Sequence, residues 1–500
     1  MSRRTTLVFG LPLFLALAHC NALFGIDDAS LVEGAGGGPA GAGSGGQPGG
    51  AAGGVGGVGG VGGLGGLGGV GGGSGQGGAD PAEKVQIAAG AEHTCAWAPG
   101  SSAYCWGEDL YGQLGSGPPL EKSEKPVIVR DALNKPLANV RRLELGGRHT
   151  CALLLDDTVL CWGSNGQGQA AADPSLFPTF VVPTPLRGAD GVTTLGDVKQ
   201  IALGDSHGCA LLGDGSVACW GDNSFGQLGQ GDKITPSYVA KAVLNEAGEV
   251  LADVQDLAAG DFFTCARTST GALYCWGSNA FGQLGAAAPA GQSGKATLFL
   301  DSTGQGFETA TTFALGGFHG CAIALAGRVF CWGSDESGQL GGGLGTGGAS
   351  GASGASGASG AGGVGPRLGA VRGTDPVQVL DAAGGKLEGV LSLALGAQHS
   401  CGVKAGGTVY CWGRNGSGEL GNGTTGQAPG ARPVLVDDNG EVAQGALGLA
   451  LGNRHSCVAV KGGAYCWGVN LNGQLGSAEN FTTETPTLYP RLVEELRFGP

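Results

Sequence analysis

The sequence is poor in charged residues, and above all in positive ones. Only 14% of its 500 residues are charged, and 27 lysines and arginines stand against 41 aspartates and glutamates, for a formal net charge of −14. Proteins that bind nucleic-acid backbones concentrate Lys and Arg, because these side chains displace the counterions around the phosphates. The composition therefore argues against nucleic acid as a partner.

A hydrophobic run long enough to cross a membrane is missing from the N-terminal region. Residues 7–18 form an apolar run that follows two arginines and ends just before Cys20. This order is typical of an export signal, which we predict over residues 1–20. Residues 17–20, Leu-Ala-His-Cys, resemble a bacterial lipobox, in which Cys20 would carry lipid after cleavage. A plain secretory or an unprocessed N-terminus is the alternative, since His19 stands where a small residue is usual.

Glycine, in contrast, is abundant, with 107 residues. Two segments consist mainly of glycine and small or aliphatic residues, namely residues 34–78 and an insert at residues 342–365. Such segments have too little apolar surface to offset the entropy that ordering would cost. We therefore expect residues 21–83 to be a flexible tether and the insert to be disordered.

One repeat accounts for most of the remaining chain. A segment Gly-x-x-His-x-Cys occurs seven times, with Phe263 in place of the fourth histidine, and each copy is followed by Cys-Trp-Gly and a variant of Asn-x-x-Gly-Gln-Leu-Gly. Successive copies are 56 or 58 residues apart, except for 80 residues between Cys321 and Cys401, where the insert accounts for the 24 extra residues. A period of about 50 residues with short strands and glycine turns is typical of a propeller or a solenoid.

These motifs resemble the repeat of the regulator-of-chromosome-condensation family, the RCC1-like repeat, over roughly residues 85–500. The resemblance implies an all-β fold, in which residues 84–500 form a seven-bladed β-propeller with one four-stranded blade per repeat. By the family name alone it also implies guanine-nucleotide exchange on a small GTPase, a role that export would exclude. A plant ultraviolet photoreceptor with this fold uses tryptophans in the two residues ahead of the repeat histidine. Those positions hold no tryptophan here, so light sensing by that route is excluded.

The two cysteines of each repeat flank a hairpin turn. Counting inward from them leaves three loop residues in most repeats, as at 213–215, and two in the seventh, at 461–462, so the cysteines always face each other. Opposed residues on antiparallel strands are close enough for a disulfide. We therefore predict seven disulfides within blades: Cys95–Cys105, Cys151–Cys161, Cys209–Cys219, Cys265–Cys275, Cys321–Cys331, Cys401–Cys411 and Cys457–Cys466.

This use of cysteine predicts an oxidising compartment. All but one of the 15 cysteines belong to the seven pairs, and the remaining one is Cys20. The spare cysteine predicts an outer-membrane or cell-surface lipoprotein, with a periplasmic or secreted protein as the alternative.

Residues that recur in nearly every blade are expected to serve the blade itself. We expect the repeat histidines to bind a loop carbonyl and the CWG tryptophans to fill the space between blades. We predict no catalytic, cofactor or metal site, because His-x-Cys and the second cysteine would give a metal only three ligands per blade. Residues that vary between blades are better binding candidates, since variable loops on a rigid ring build a binding surface. Four of them directly precede the repeat-histidine position on the rim: Arg148, Phe262, Phe318 and Arg454.

The chain is therefore interpreted as an exported, monomeric, non-enzymatic propeller that binds another protein or a surface polymer. Membrane contact would be made only through the N-terminal lipid. An enzyme that acts on polysaccharide or cell-wall material in the central channel is the alternative. Non-repeating carboxylates or histidines at the channel mouth would favour that enzyme.

The C-terminus carries a prediction about ring closure. Residues 493–499 match residues 198–204 in apolar pattern, which makes eight copies of this strand for seven hairpins. We expect residues 492–499 to lie against the first repeat, near residues 85–90, as a spare strand that closes the ring.

Overall fold

The computed structural model describes residues 85–99, 101–231, 235–307, 310–343, 372–477 and 486–496. These residues form seven antiparallel sheets of four consecutive strands, one sheet per repeat. The all-β, seven-bladed propeller that the repeat predicts is confirmed. The predicted export signal with Cys20, the tether and residues 344–365 of the insert lie outside the described residues. Within the described part of the chain, no helix is long and apolar enough to span a membrane.

Each blade runs from an inner strand at the central channel to an outer strand at the circumference. Blades one to four contain β1 (Gln86–Ala89), β2 (His93–Trp97), β3 (Ala103–Asp109), β4 (Glu121–Ile128), β5 (Val140–Leu145), β6 (His149–Leu154), β7 (Val159–Ser164), β8 (Thr179–Pro185), β9 (Val198–Leu203), β10 (His207–Leu212), β11 (Val217–Gly221), β12 (Ser237–Ala242), β13 (Val254–Ala259), β14 (Phe263–Thr268), β15 (Leu273–Asn279) and β16 (Gly291–Leu298). Blades five to seven contain β17 (Thr312–Leu315), β18 (His319–Ala324), β19 (Arg328–Ser334), β20 (Arg372–Gln378), β21 (Val390–Leu395), β22 (His399–Lys404), β23 (Val409–Gly413), β24 (Ala428–Pro433), β25 (Gly448–Leu451), β26 (His455–Val460), β27 (Gly463–Gly468) and β28 (Thr487–Leu492). A 3-10 turn, Leu325–Gly327, lies in the fifth hairpin.

The hairpin of each blade places its two cysteines opposite each other. In the third blade Gly215 takes a φ of 80° at the third loop position, a conformation that a glycine adopts without strain. In the seventh blade the loop is one residue shorter, and Cys457 still pairs with Cys466. The structure contains all seven predicted pairs as disulfides, with Cα–Cα distances of 4.0–4.1 Å.

The hydrophobic core consists of seven clusters, one between each pair of neighbouring blades. Ile201 and Leu203 of the inner strand β9 pack toward the preceding blade, and Ala202 packs toward the following one. The CWG tryptophans are fully buried in these clusters. Each donates its Nε1–H to the main-chain carbonyl at the glutamine position of the preceding blade's GQLG turn, for example Trp162 to Gln113 at 2.9 Å. The blades therefore join through a repeated apolar contact with one directed hydrogen bond.

The same contact closes the ring between the last blade and the first. Trp106 of the first blade donates to the carbonyl of Gln474 in the seventh at 2.9 Å. Val85 and Ile87 pack there against Val493. The expected proximity of the C-terminal segment to the first repeat therefore holds at Val493, while residues 497–500 lie outside the described residues.

The predicted eighth copy of the inner strand is wrong for residues 493–496, which form no strand. Val493 directly follows the outer strand β28, and its N–H donates to the carbonyl of Ala464 at 2.9 Å. Val129 follows the outer strand β4 in the same way and donates to Ala103 at 2.9 Å. The segment is therefore the end of an ordinary outer strand. Its apolar pattern resembles that of an inner strand because Val493, like the valines of inner strands, is buried.

Candidate binding face around the central channel

Seven glycines form a closed ring around the central channel. They are the first residues of the Gly-x-x-His motifs: Gly90, Gly146, Gly204, Gly260, Gly316, Gly396 and Gly452. A Cβ atom on any of them would overlap the carbonyl oxygen of the next glycine around the ring. Only glycine therefore lets the seven blades approach so closely. The channel inside the ring has a volume of about 110 Å³, which is below the 300–1,000 Å³ that is usual for ligand pockets.

Five of the six repeat histidines bind the following blade beside this ring. Their Nε2 atoms lie 2.8–3.0 Å from a hydroxyl, in the pairs His93–Thr150, His207–Thr264, His319–Ser400, His399–Ser456 and His455–Thr94. The hydroxyl of Thr150 also donates to the carbonyl of Gln113, so it accepts from His93 Nε2–H. Burial lowers the pKa of all six histidines to about 3. Their role is structural, although the partner is a hydroxyl of the next blade and not the expected loop carbonyl.

Two blades depart from this pairing, and they do so in a matched way. His149 faces Gly208 in the next blade, where five of the other six blades carry a hydroxyl, so its Nε2 makes no hydroxyl bond of the kind that the other five histidines make. In the fourth blade Phe263 replaces the histidine and is fully buried. The blade that follows it again supplies a glycine, Gly320. Histidine and phenylalanine thus both fit where the next blade carries glycine.

An ion pair lies inside the channel. Glu144 of β5 stands where the other six inner strands have alanine, and Arg142 Nε donates to its Oε1 at 2.5 Å. Burial raises the pKa of Glu144 to about 7, and the positive charge of Arg142 opposes that rise. The side chains of Arg142 and Glu144 thus make the channel polar on the side of the second blade.

Two carboxylates from neighbouring blades lie at the mouth of the channel. The N–H of Asp205 donates to the carbonyl of Asp261 at 3.1 Å. Burial and the negative charge of Asp205 raise the pKa of Asp261 to about 7, and burial also raises the pKa of Asp205. Neither carboxylate belongs to the repeat. Among the described residues, no group of three or more His, Cys, Asp or Glu side chains could hold a metal ion.

Four phenylalanines lie side by side on one sector of this mouth, and we call them the phenylalanine arc. Ring centroids are 5.3 Å apart for Phe225 and Phe262, 5.7 Å for Phe262 and Phe318, and 5.2 Å for Phe318 and Phe281. Phe225 is 40% exposed and the other three are partly exposed. A soluble surface rarely carries such a contiguous aromatic patch unless something binds to it.

The opposite sector is charged, and we call it the arginine arc. It contains Arg148 and Arg454, with Glu92 of the first blade between them in blade order. Arg148 lies 5.2 Å from the ring centroid of Tyr111, and its Nε lies 3.7 Å from the carboxylate of Glu108. Burial raises the pKa of Glu92, while the charge of Arg454 lowers it. The face around the mouth is therefore chemically different on its two sides.

The four predicted binding residues thus fall on the two arcs of one face, two on each. Sequence reasoning missed their neighbours Phe225 and Phe281, as well as Asp205 and Asp261. The signal for the phenylalanines was available, because the residue before Gly-Gln in the GQLG turn also varies between repeats. The long connections at residues 176–185 and 286–304, which follow the GQLG turns, contain the outer strands β8 and β16.

The fold and the face around the channel define a seven-bladed propeller whose variable side chains surround the mouth of a narrow central channel. A model of the RCC1-like domain matches residues 72–350, which is more than half of the chain. Models of the RCC1 repeat match residues 390–419 and 406–459. The chain therefore belongs to the RCC1-like family.

Several curated proteins are similar over most of this chain. The ultraviolet-B receptor UVR8 of Arabidopsis thaliana is 27% identical over 422 residues, which cover 84% of this chain and 83% of the receptor. The secretion-regulating guanine nucleotide exchange factor of Bos taurus is 25% identical over 427 residues, which cover 80% of this chain and 80% of the exchange factor. The human E3 ubiquitin-protein ligase HERC2 is 28% identical over 74% of this chain but only 7% of the ligase. These relatives have different activities, so the family alone assigns none.

Solved structures show the same fold. Prp20p of Saccharomyces cerevisiae, a protein described for its binding to Gsp1p and histones, superposes with a TM-score of 0.60 at 22% identity, over 79% of this chain and 86% of its own. Human WBSCR16 superposes with a TM-score of 0.59 at 19% identity, over 78% and 94%. At these identities the likeness establishes the fold alone.

Proposed function

We propose that this chain is an exported, lipid-anchored propeller that binds another protein or a surface polymer through the face around its channel. The observation that carries the proposal is the phenylalanine arc. Its four rings are contributed by three blades, from positions that hold other residues elsewhere in the ring. Partly exposed aromatic rings with charged groups across the same face are typical of binding surfaces.

The charge of the face indicates how a partner would be oriented. The arginine arc lies across the channel mouth from the phenylalanine arc, and the Asp205–Asp261 pair lies at the mouth itself. A partner with an apolar anchor and an acidic group would complement both arcs. Because charged groups at the edge of an interface act mainly on association, its binding should weaken as salt increases.

Export is supported by the seven disulfides, which suit an oxidising compartment. Lipid attachment at Cys20 is supported by the sequence alone. Its test is fractionation of the native cell: the wild type should sediment with membranes, and Cys20→Ser should become soluble. A wild type that is already soluble after cell disruption would remove the anchor from the proposal.

Binding is tested by chemical cross-linking at the native cell surface with a matched set of variants. Phe262→Ala with Phe318→Ala should abolish the cross-linked adduct of the wild type, and Arg148→Ala with Arg454→Ala should reduce it. Leu133→Ala is the control, because Leu133 is 74% exposed in the turn before the inner strand β5, at the end remote from the channel mouth. The binding proposal would be abandoned if the phenylalanine variant kept the full adduct.

A second function, hydrolysis of cell-wall polysaccharide, is favoured by the two carboxylates at the mouth. A carboxyl group with a raised pKa is what general acid catalysis needs, and burial gives Asp261 that property. The narrow channel weighs against it, since a sugar chain could not enter. Release of reducing ends from cell-wall material, and its loss in Asp261→Asn, would favour this enzyme over the binding module.

A further inference from the structure

An apolar cavity of about 390 Å³ lies between the sixth and seventh blades. It is at the end of the blades that carries the hairpin loops, away from the channel face. Its floor is formed by buried side chains of Val409, Val434, Val458 and Trp467. Val436, Gln444 and Lys461 lie around its exposed edge. We call it the 6/7 cavity.

The 6/7 cavity exists because two repeat positions are small at this interface. After the outer strand, Leu137, Leu251 and Leu387 donate a main-chain N–H to Val129, Val243 and Val379 and fill the space between blades. In the sixth repeat Ala443 makes the same bond, to Val434, at 2.9 Å. The leucine side chain that would fill the space is therefore missing.

The second small position lies six residues before the ring glycine, where the inner strand begins in most blades. In four blades this position is a buried valine: Val140, Val198, Val254 and Val390. In the seventh blade it is Ala446, which lines the 6/7 cavity together with Ala443. Alanine thus replaces the leucine and the valine of other repeats at two neighbouring positions, and both replacements remove side-chain volume from the same place.

At another interface a single truncation is compensated by a larger neighbouring residue. Between the fourth and fifth blades, Ala310 occupies the valine position, but Phe307 stands in place of the repeat leucine. Phe307 packs with its ring centroid 6.5 Å from that of Phe299 and 5.8 Å from that of Trp332. At the interface between blades six and seven no larger residue takes up the lost volume, and the space remains open.

We propose that the 6/7 cavity binds a small apolar molecule, of the size of one aromatic ring with a short alkyl chain. Its volume lies within the range of ligand pockets. The site is open to solvent at the edge formed by Val436, Gln444 and Lys461, and smaller apolar cavities that are enclosed in protein cores take up benzene. An unfilled cavity weakens a core, so a bound ligand would restore contacts that Ala443 and Ala446 omit. The edge with Gln444 and Lys461 would leave the polar end of such a ligand near solvent.

The test restores the repeat residues in the full chain. Benzene binding is measured by saturation-transfer NMR and by the rise in Tm. The wild type should show transfer to benzene, and Ala443→Leu with Ala446→Val should lose at least nine-tenths of it. The double variant should also have a Tm about 2 °C or more above that of the unliganded wild type, because it fills the cavity. Ala383→Leu, on an exposed loop, is the control and should leave both readouts unchanged.

A single variant, Ala446→Val, keeps the test decisive if the double variant does not fold. It should bind benzene more weakly than the wild type and have an equal or higher Tm. The proposal is overturned if wild-type protein shows no transfer to benzene. It is also overturned if Ala446→Val binds benzene like the wild type, or if it lowers the Tm by several degrees, since the space would then be occupied by protein.

Discussion

The hydroxyl of Thr94 lies 2.9 Å from Nε2 of His455, although the two residues are 361 positions apart in the chain. Thr94 belongs to the first blade and His455 to the seventh, so this bond lies at the junction that closes the ring. The same hydroxyl donates to the carbonyl of Gln474 at 3.0 Å. One buried side chain thus connects the first blade to two residues of the last.

Replacing Thr94 with valine should therefore destabilise the closed ring. Valine has nearly the same shape but no hydroxyl, and it would leave His455 Nε2 buried without a partner. We expect a loss of about 1–3 kcal/mol in the free energy of unfolding, measured with urea. Thr408→Val, in the hairpin loop of the sixth blade, is the control. Equal stability of the two variants would mean that the bond contributes nothing to closure.

His149→Phe should be tolerated and should make the protein more resistant to acid. Gly208 leaves His149 the same kind of space that Gly320 leaves for Phe263, so phenylalanine should fit. Burial holds the pKa of His149 near 3, against about 6.5 when unfolded. The unfolded state thus binds more protons than the folded state between these values, and wild-type stability falls as the pH drops from 6.5 toward 3.

The variant lacks this titrating group, so its slope of unfolding free energy against pH should be smaller by one proton over that range. His207→Phe is the matched control, because it would face Thr264 and should be destabilised at every pH. An unchanged slope in His149→Phe would contradict the burial of a neutral imidazole.

The ion pair of Glu419 and Arg414 should behave as one unit. Their closest atoms lie 3.3 Å apart, and Glu419 is fully buried. The corresponding pair in the fifth blade is Gln339 and Ser334, joined by a 3.3 Å hydrogen bond. Arg414→Ser alone should cost about 1–3 kcal/mol at pH 7, because it leaves a buried carboxylate without its cation. Adding Glu419→Gln should recover most of that loss.

Burial raises the pKa of Glu419, so the cost of Arg414→Ser should shrink as the pH falls toward 4 and the carboxylate becomes protonated. The measurement is a double-mutant cycle from urea unfolding, with Arg432→Ser on an exposed site as the control. Additive effects of the two substitutions would show that the pair is not coupled.

Each disulfide should stabilise its own hairpin. Replacing Cys209 and Cys219 by alanine should cost roughly 2–3 kcal/mol, the value expected for closing a loop of about ten residues. Cys20→Ser leaves all seven pairs intact and should not change the stability of the propeller. Peptide mapping without reduction should recover the seven links within blades, and a link between different blades would contradict the structure.

The end of the last outer strand should matter to the whole ring. Val493 is 3% exposed between the seventh and first blades, whereas its neighbour Leu492 is 55% exposed. Val493→Ala should therefore lower the free energy of unfolding by about 1–3 kcal/mol, and Leu492→Ala should have little effect. Truncation after Pro490 should lower the Tm of the entire domain. A truncated chain with the wild-type Tm would show that closure does not need these residues.

The four-stranded blade followed from the resemblance to the RCC1-like repeat, while the sequence by itself determined the number of repeats and the pairing of the cysteines. These depend on residues a few positions apart, such as Cys457 and Cys466, whose opposition follows from counting along one hairpin. The sequence misled at residues 493–496, because an inner strand and the end of an outer strand have the same apolar pattern when each buries the same kind of side chain.

Only the tertiary structure decided which variable residues meet. Phe225 and Phe262 come from the third and fourth blades, and their ring centroids lie 5.3 Å apart. The 6/7 cavity likewise needs Ala443 to lie close to Ala446, which precedes the inner strand of the seventh blade. A repeat pattern specifies each blade, because the pattern depends on local spacing along the chain. The contacts between blades depend instead on the relative rotation of the sheets and on the volumes of the facing side chains, and local spacing determines neither.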